Sequence, residues 1–111
     1  MNSTLEKQIK KTLALALSDL KNENEALEFL NDFLTEKEFL NLAKRLSVAY
    51  WLGNNRSYDN IKTNLGVSSA TIAEIKTLAK KTGVKMTIKK IDADVWADKW
   101  SKKIRSLRKD S

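Results

Sequence analysis

The sequence predicts an all-α chain of about six helices with a helix-turn-helix near its middle and one short extended segment near residues 84–90. Three observations carry that expectation. The 111 residues contain no proline and only three glycines, Gly53, Gly66 and Gly83, each placed where an apolar periodicity ends. Apolar residues recur every three or four positions through most of the chain, the spacing of one helix face. Good helix formers (Leu, Ala, Lys, Glu) dominate, while residues that break helices are nearly absent.

The first helix is expected from about Thr4 to Lys21. Leu5, Ile9, Leu13, Leu17 and Leu20 form its stripe. It would be about 25 Å long at 1.5 Å per residue, long for so small a chain, and Ala14 and Ala16 permit close packing against another helix. The apolar patch from Leu13 to Leu17 is too short to span a membrane. With Glu6, Lys10 and Lys11 before it and Asp19 after it, it reads as an amphipathic helix rather than a secretory signal. After the polar break Asn22-Glu23-Asn24, a second short helix runs from Glu25 to Phe33 with Leu27, Leu30, Phe33 and Leu34. Thr35-Glu36-Lys37-Glu38 is a capping box, in which the Thr35 hydroxyl accepts from the Glu38 N–H and Glu38 reaches back. A third helix therefore starts at Glu36. It presents Phe39, Leu42, Ala43, Leu46, Ala49, Tyr50 and Leu52 and ends near Gly53.

Residues 54–57 are a connector, and Ser57 can cap the helix that follows. In residues 58–80, Ile61 and Leu65 share one helix face, and Ile72 and Ile75, continued by Leu78 and Ala79, share another. Gly66 between them can take the left-handed conformation that ends a helix, and Ser68 or Ser69 can cap the next one. The product is a helix-turn-helix, whose second helix can enter a DNA major groove. A plain helical hairpin has the same apolar pattern. Small residues opening the second helix (Ser68, Ser69, Ala70, Thr71) favour DNA, because bulky ones would hold the backbone away from base edges. Lys62 lies off the apolar face, where it can meet a phosphate.

Beyond Lys80, Lys81-Thr82-Gly83 is expected to stop the recognition helix. Val84, Met86 and Ile88 then alternate with Lys85, Thr87 and Lys89, a strand signal. A lone strand needs a symmetry mate, or it is an arm laid on a partner subunit or on DNA; an extended segment is expected. Asp92-Ala93-Asp94 suits the start of a last helix, because acids in a first turn complement the helix dipole. This basic helix over residues 92–109 carries Trp96, Trp100, Ile104 and Leu107 at helical spacing. Such a stripe is ordinarily core or subunit interface, though tryptophans can also stack on exposed bases.

Composition narrows the chemistry. The chain has no histidine and no cysteine. That leaves only carboxylates for a metal site, removes the usual general base and excludes disulfides. No cofactor and no enzymatic activity are expected, and Asp59, Glu74, Asp92 and Asp94 are not placed around any substrate. The net charge of +7 is unevenly spread: residues 1–75 carry 9 basic and 10 acidic side chains, residues 76–111 carry 12 and 4. A basic excess beside a helix-turn-helix matches what phosphate contacts require, although a solvated charged tail looks the same. The phosphate candidates are Arg56, Lys62, Lys76, Lys80 and Lys81. The length fits a single domain over residues 1–111.

The segment LTEKEFLNLAKRLSVAYWL, followed after a connector by SYDNIKTNLGVSSATI, resembles the Trp-repressor superfamily. The matching elements are Leu34-Thr35 at a helix start, Arg45 ten residues on, Asn64-Leu65-Gly66 (which meets the N-x-L-G turn in part) and Ala70-Thr71-Ile72 in the recognition helix. The resemblance covers residues 34–80 well and the helical order of the rest loosely. It implies an all-α homodimer with interlocked N-terminal helices, acting as a bacterial, cytoplasmic, nucleoid-associated repressor on a palindromic double-stranded operator. By matched position, Lys62 is a phosphate contact, and Ser69, Ala70 and Ala73 face bases. In the resembling family an indole corepressor lies between two arginines. Arg45 matches the first, but Glu74 stands at the second, and Ile75 replaces the glycine that leaves room for the indole. The resemblance thus places the chain in a branch that does not bind tryptophan, with Arg45, Glu74 and Ile75 as a candidate effector pocket and no known effector. The alternative function is a helical module that binds protein or RNA through the basic C-terminal region.

Overall fold

A computed structural model of the chain describes residues 1–109; the last two positions of the expected 1–111 domain lie outside the described residues. These residues form six helices: α1 (Ser3–Ser18), α2 (Glu23–Phe33), α3 (Glu36–Gly53), α4 (Tyr58–Leu65), α5 (Ser69–Leu78) and α6 (Thr82–Lys109). No strand occurs among the described residues. The chain divides into two compact units, residues 1–42 and 43–111, with α3 running through the boundary.

In the first unit, α1 starts one residue before the expected Thr4 and ends at Ser18. The Asn2 side chain caps it by accepting from the Leu5 N–H at 2.8 Å. Asn22 does the same for α2 at the Glu25 N–H, 2.9 Å away, which moves that helix start back to Glu23. The capping box at α3 forms as read: Glu38 N–H donates to the Thr35 hydroxyl at 3.1 Å, and Thr35 N–H donates to a Glu38 carboxylate oxygen at 2.9 Å. These bonds, the Thr35 backbone N–H first and its hydroxyl second, hold the Glu38 carboxyl below its ordinary pKa. Neither α1 nor α2 contains a buried residue.

The second unit has a core of Val48 and Ala49 from α3, Ile61 from α4, and Ile72 and Ile75 from α5. Ile61, Ile72 and Val48 are completely buried. Trp51, Leu52, Leu65, Val67, Ala79, Val84 and Ile88 pack around them. Residues 84–90 are therefore not extended; they are the first turns of α6. Val84 and Ile88 stand four residues apart and share the face that meets the core, whereas Met86 points away and is 53% exposed. An apolar residue at every second position contains an i, i+4 pair, and with no strand to pair with, the helix prevails. The start read at Asp92 lies inside α6, which spans 28 residues, about 42 Å. Gly83 likewise falls inside α6, and the recognition helix stops earlier, at Leu78.

Candidate nucleic-acid interface

The turn between α4 and α5 is built as its sequence dictates. Ser57 caps α4 by accepting from the Asn60 N–H at 3.1 Å. Gly66 ends it with φ 62 and ψ 41, its N–H returning to the Lys62 carbonyl. A residue with a Cβ is strained in that left-handed conformation, so glycine is the natural occupant. Of the two candidate serines, Ser68 caps α5: its hydroxyl accepts from the Thr71 N–H at 3.1 Å and donates to the Thr71 hydroxyl at 3.0 Å. Ile61, Ile72 and Ile75 then fix the two helices against α3. The opposite side of α5 is left exposed, with Ser69, Ala70 and Ala73 in its first turns. Ser69, Ala73 and Lys76 lie three and four residues apart and so form one outward stripe. Ser68 and Thr71, also read as site residues, are occupied by the cap, and Thr71 is half-buried.

The basic candidates are all exposed, but they fall into groups. Lys62 stands alone on α4. The Arg56 guanidinium lies 3.9 Å from the centre of the Trp51 ring and donates to the Asn60 side chain at 3.4 Å, a stack that holds the connector in place. Lys76 lies 5.8 Å from the Tyr58 ring centre. Arg56, Lys76 and Lys80 line one groove of about 630 Å³ with a largely apolar floor that includes Ala49, Leu52 and Ile88. Lys81 is absent from that lining. Lys85 and Lys89 complete the rim, so five cations and no carboxylate surround the groove. Sequence reading missed these two because it laid residues 84–90 out as a strand. The spacing Lys81, Lys85, Lys89 was the available signal, since it is one helix face.

The structure brings two residues of the candidate effector pocket together and buries the third. Arg45 Nη1 stands 3.6 Å from Glu74 Oε1, with both side chains about half-exposed. Ile75 is 2% exposed and belongs to the core. Glu74 is engaged across α3 and α5 rather than presented alone at a groove. Among the described residues no cluster of three or more carboxylates could hold a metal, and no helix is long and apolar enough to cross a membrane.

Comparison with known proteins agrees with this geometry. A family model described as Trp repressor protein matches residues 8–90. The Bacillus subtilis (strain 168) protein YerC, itself described as uncharacterized, is 38% identical over 61 residues. That stretch is 55% of this chain and 59% of YerC, so the chain spans about three-fifths of that relative's length. The crystal structure of a TrpR like protein from Eubacterium eligens ATCC 27750 is similar at a TM-score of 0.72 and 30% identity, covering 82% of this chain and 96% of that one.

Proposed function

The chain belongs to the Trp repressor family, a family of helix-turn-helix DNA-binding regulators, and from that premise we propose that it is a homodimeric transcriptional repressor acting on a palindromic operator without tryptophan as corepressor. The observation that carries the DNA reading is the α4–α5 unit. Its left-handed Gly66 cap and its three buried isoleucines hold α5 with a small-residue N-terminal face open to a groove. Ser69, Ala70 and Ala73 face base edges. Lys62, Arg56, Lys76, Lys80 and Lys81 meet phosphates on either side.

Dimerisation is supported by what α1 and α2 lack. Leu5, Ile9, Leu13, Leu15 and Leu17 are 45–54% exposed on α1, and Phe33 on α2 is 67% exposed. Leu5, Ile9, Leu13 and Leu17 form one face of α1, and an exposed apolar face of that length is stabilised by burial against a second chain. A two-fold dimer sets its recognition helices about 34 Å apart, one turn of DNA. The absence of a tryptophan requirement rests on two side chains. Glu74 neutralises Arg45 and brings a negative charge to where the ligand carboxylate would lie. Ile75 fills the space that a glycine would leave. The location consistent with this role is the cytoplasm, at the nucleoid.

The test is selection of duplexes from a random pool by the purified protein, followed by titration of the winner at several salt concentrations, with and without millimolar L-tryptophan. A specific binder prefers its operator over random duplex by at least about a thousandfold. Equal affinity for all duplexes overturns the repressor reading. Tighter operator binding with tryptophan, or a saturable heat in calorimetry, overturns the corepressor-free reading alone.

A further inference from the structure

The groove rimmed by Arg56, Lys76, Lys80, Lys85 and Lys89 has a floor that phosphate contacts leave unused. That floor is formed by Ala49 and Leu52 from α3, Ala79 at the end of α5 and Ile88 from α6. All of its lining belongs to the second unit, so the groove is formed within one body. None of the five cations forms an ion pair among the described residues, and no carboxylate lines the groove. Two of the cations are held against rings: the Arg56 guanidinium 3.9 Å from the Trp51 ring centre and Lys76 Nζ 5.8 Å from that of Tyr58. The bond from Arg56 to Asn60 leaves other guanidinium N–H donors for an anion. Lys80, Lys85 and Lys89 also line a neighbouring groove, so they form the ridge between the two. The volume of about 630 Å³ is that of a small-molecule site. Arg45, Glu74 and Ile75 take no part in it.

We propose that this groove binds a small organic anion with an apolar body, an alkyl or aryl phosphate or carboxylate, and that the bound anion releases the chain from DNA. Unpaired cations of one sign around a cleft concentrate anions there. The apolar floor adds affinity for a hydrocarbon body, because covering it removes apolar surface from water. Inorganic phosphate alone would leave the floor wet, and an uncharged hydrocarbon would leave the cations unmatched. A DNA backbone suits the cations but brings little hydrocarbon to Leu52, Ala79 and Ile88. Because Arg56, Lys76 and Lys80 are also phosphate contacts in the repressor reading, anion and duplex compete for the same charges. Such an effector is an inducer, opposite in sign to a corepressor. It acts without opening the packing of Ile75.

The inducer role rests on the DNA reading above, so anion binding is measured first without DNA. Octyl phosphate and octanoate, below their micellar concentrations, are titrated into the full-length chain by calorimetry. Inorganic phosphate supplies the head alone and octyl glucoside an uncharged body. The expected result is saturable binding of one octyl anion per chain, at least about tenfold tighter than either control. Affinity should rise by up to about fourfold for each methylene between the hexyl and octyl forms. Lys85→Gln with Lys89→Gln is expected to weaken octyl anion binding by about tenfold with an unchanged circular dichroism spectrum. In the native chain the anion should raise the dissociation constant of the selected operator and of random duplex alike, and the double variant should need about tenfold more of it. Inorganic phosphate that binds as tightly as octyl phosphate, or a double variant that binds the octyl anions as tightly as the native chain, overturns the site. Anion binding that leaves duplex affinity unchanged overturns the inducer role alone. A chain that prefers no duplex over another overturns the repressor reading, while the calorimetry still decides the groove.

Discussion

Ile75→Gly restores the residue that the tryptophan-binding pattern has at this position, and the structure predicts that the chain will not tolerate it. Ile75 is 2% exposed and packs with Val48, Ala49, Ile61 and Ile72. Truncation of a buried isoleucine to alanine costs about 2–5 kcal/mol through lost transfer energy and the cavity left behind. Glycine inside a helix adds about 1 kcal/mol relative to alanine. The expected loss is therefore about 3–6 kcal/mol, against a total stability of about 5–15 kcal/mol for a typical domain. Urea unfolding followed by far-ultraviolet circular dichroism measures it, with Ile75→Ala separating the packing part from the backbone part. Glu74→Gln is the control: its partner Arg45 is 3.6 Å away and both are about half-exposed, so the expected change is below about 1 kcal/mol. An Ile75→Gly variant that loses less than about 1 kcal/mol, or that gains saturable tryptophan binding with unchanged stability, would refute the view that the core depends on Ile75.

Other substitutions probe the remaining parts. Gly66→Ala forces an L-residue to φ 62 but meets nothing closer than Lys44 Nζ at 3.9 Å; the conformational cost alone is about 1–2 kcal/mol, seen as a lowered Tm, and Gly66→Asn should lose less. Lys62→Ala should weaken all duplexes alike and reduce the slope of log affinity against log salt by about one unit, while substitutions at Ser69 or Ala73 change which duplex is preferred. Thr35→Ala removes the α3 cap and should cost about 1 kcal/mol. Because the Glu38 carboxyl titrates below its ordinary value in the folded chain, its contribution is present above the unfolded pKa and is lost as pH falls through the folded one. A Glu38→Gln variant should therefore be less stable than the native chain near neutrality, with the difference shrinking toward acid pH.

The fold was legible wherever a local cap set an end. Thr35-Glu38, Ser57, Gly66 and Ser68 sit where their chemistry says they should, so α3, α4 and α5 came out with their limits nearly as read. Legibility failed where a pattern had two periods in it. Val84, Met86 and Ile88 are consistent with a strand and, through Val84 and Ile88 alone, with a helix; only the core supplied by α3, α4 and α5 decides between them. That error had a cost at the candidate interface, because Lys85 and Lys89 join Arg56, Lys76 and Lys80 only once residues 82–109 are one helix. The Arg45–Glu74 pair was hidden for a different reason. The sequence put an acid where the resembling pattern has a second arginine, but a contact between residues 29 positions apart depends on how α5 lies on α3.

The same two helices also explain how this chain would hold α5 in a DNA-ready pose with no ligand between them. In the resembling pattern two arginines have like charge, and an indole with its carboxylate must come between them. Here the opposing side chains are Arg45 and Glu74, which attract directly across 3.6 Å. Exposed as they are, they contribute little stability, so the ion pair cannot by itself fix the helix. That task falls to Ile72 and Ile75, which are buried against Val48, Ala49 and Ile61. The division of labour has a consequence for regulation. An anion that competes with Glu74 for Arg45 would displace a weak surface pair and leave the isoleucine core untouched, so it would shift the position of α5 little. Control of DNA binding through that site would need a ligand that also opens the Ile75 packing, at several kcal/mol, more than an exposed carboxylate exchange supplies.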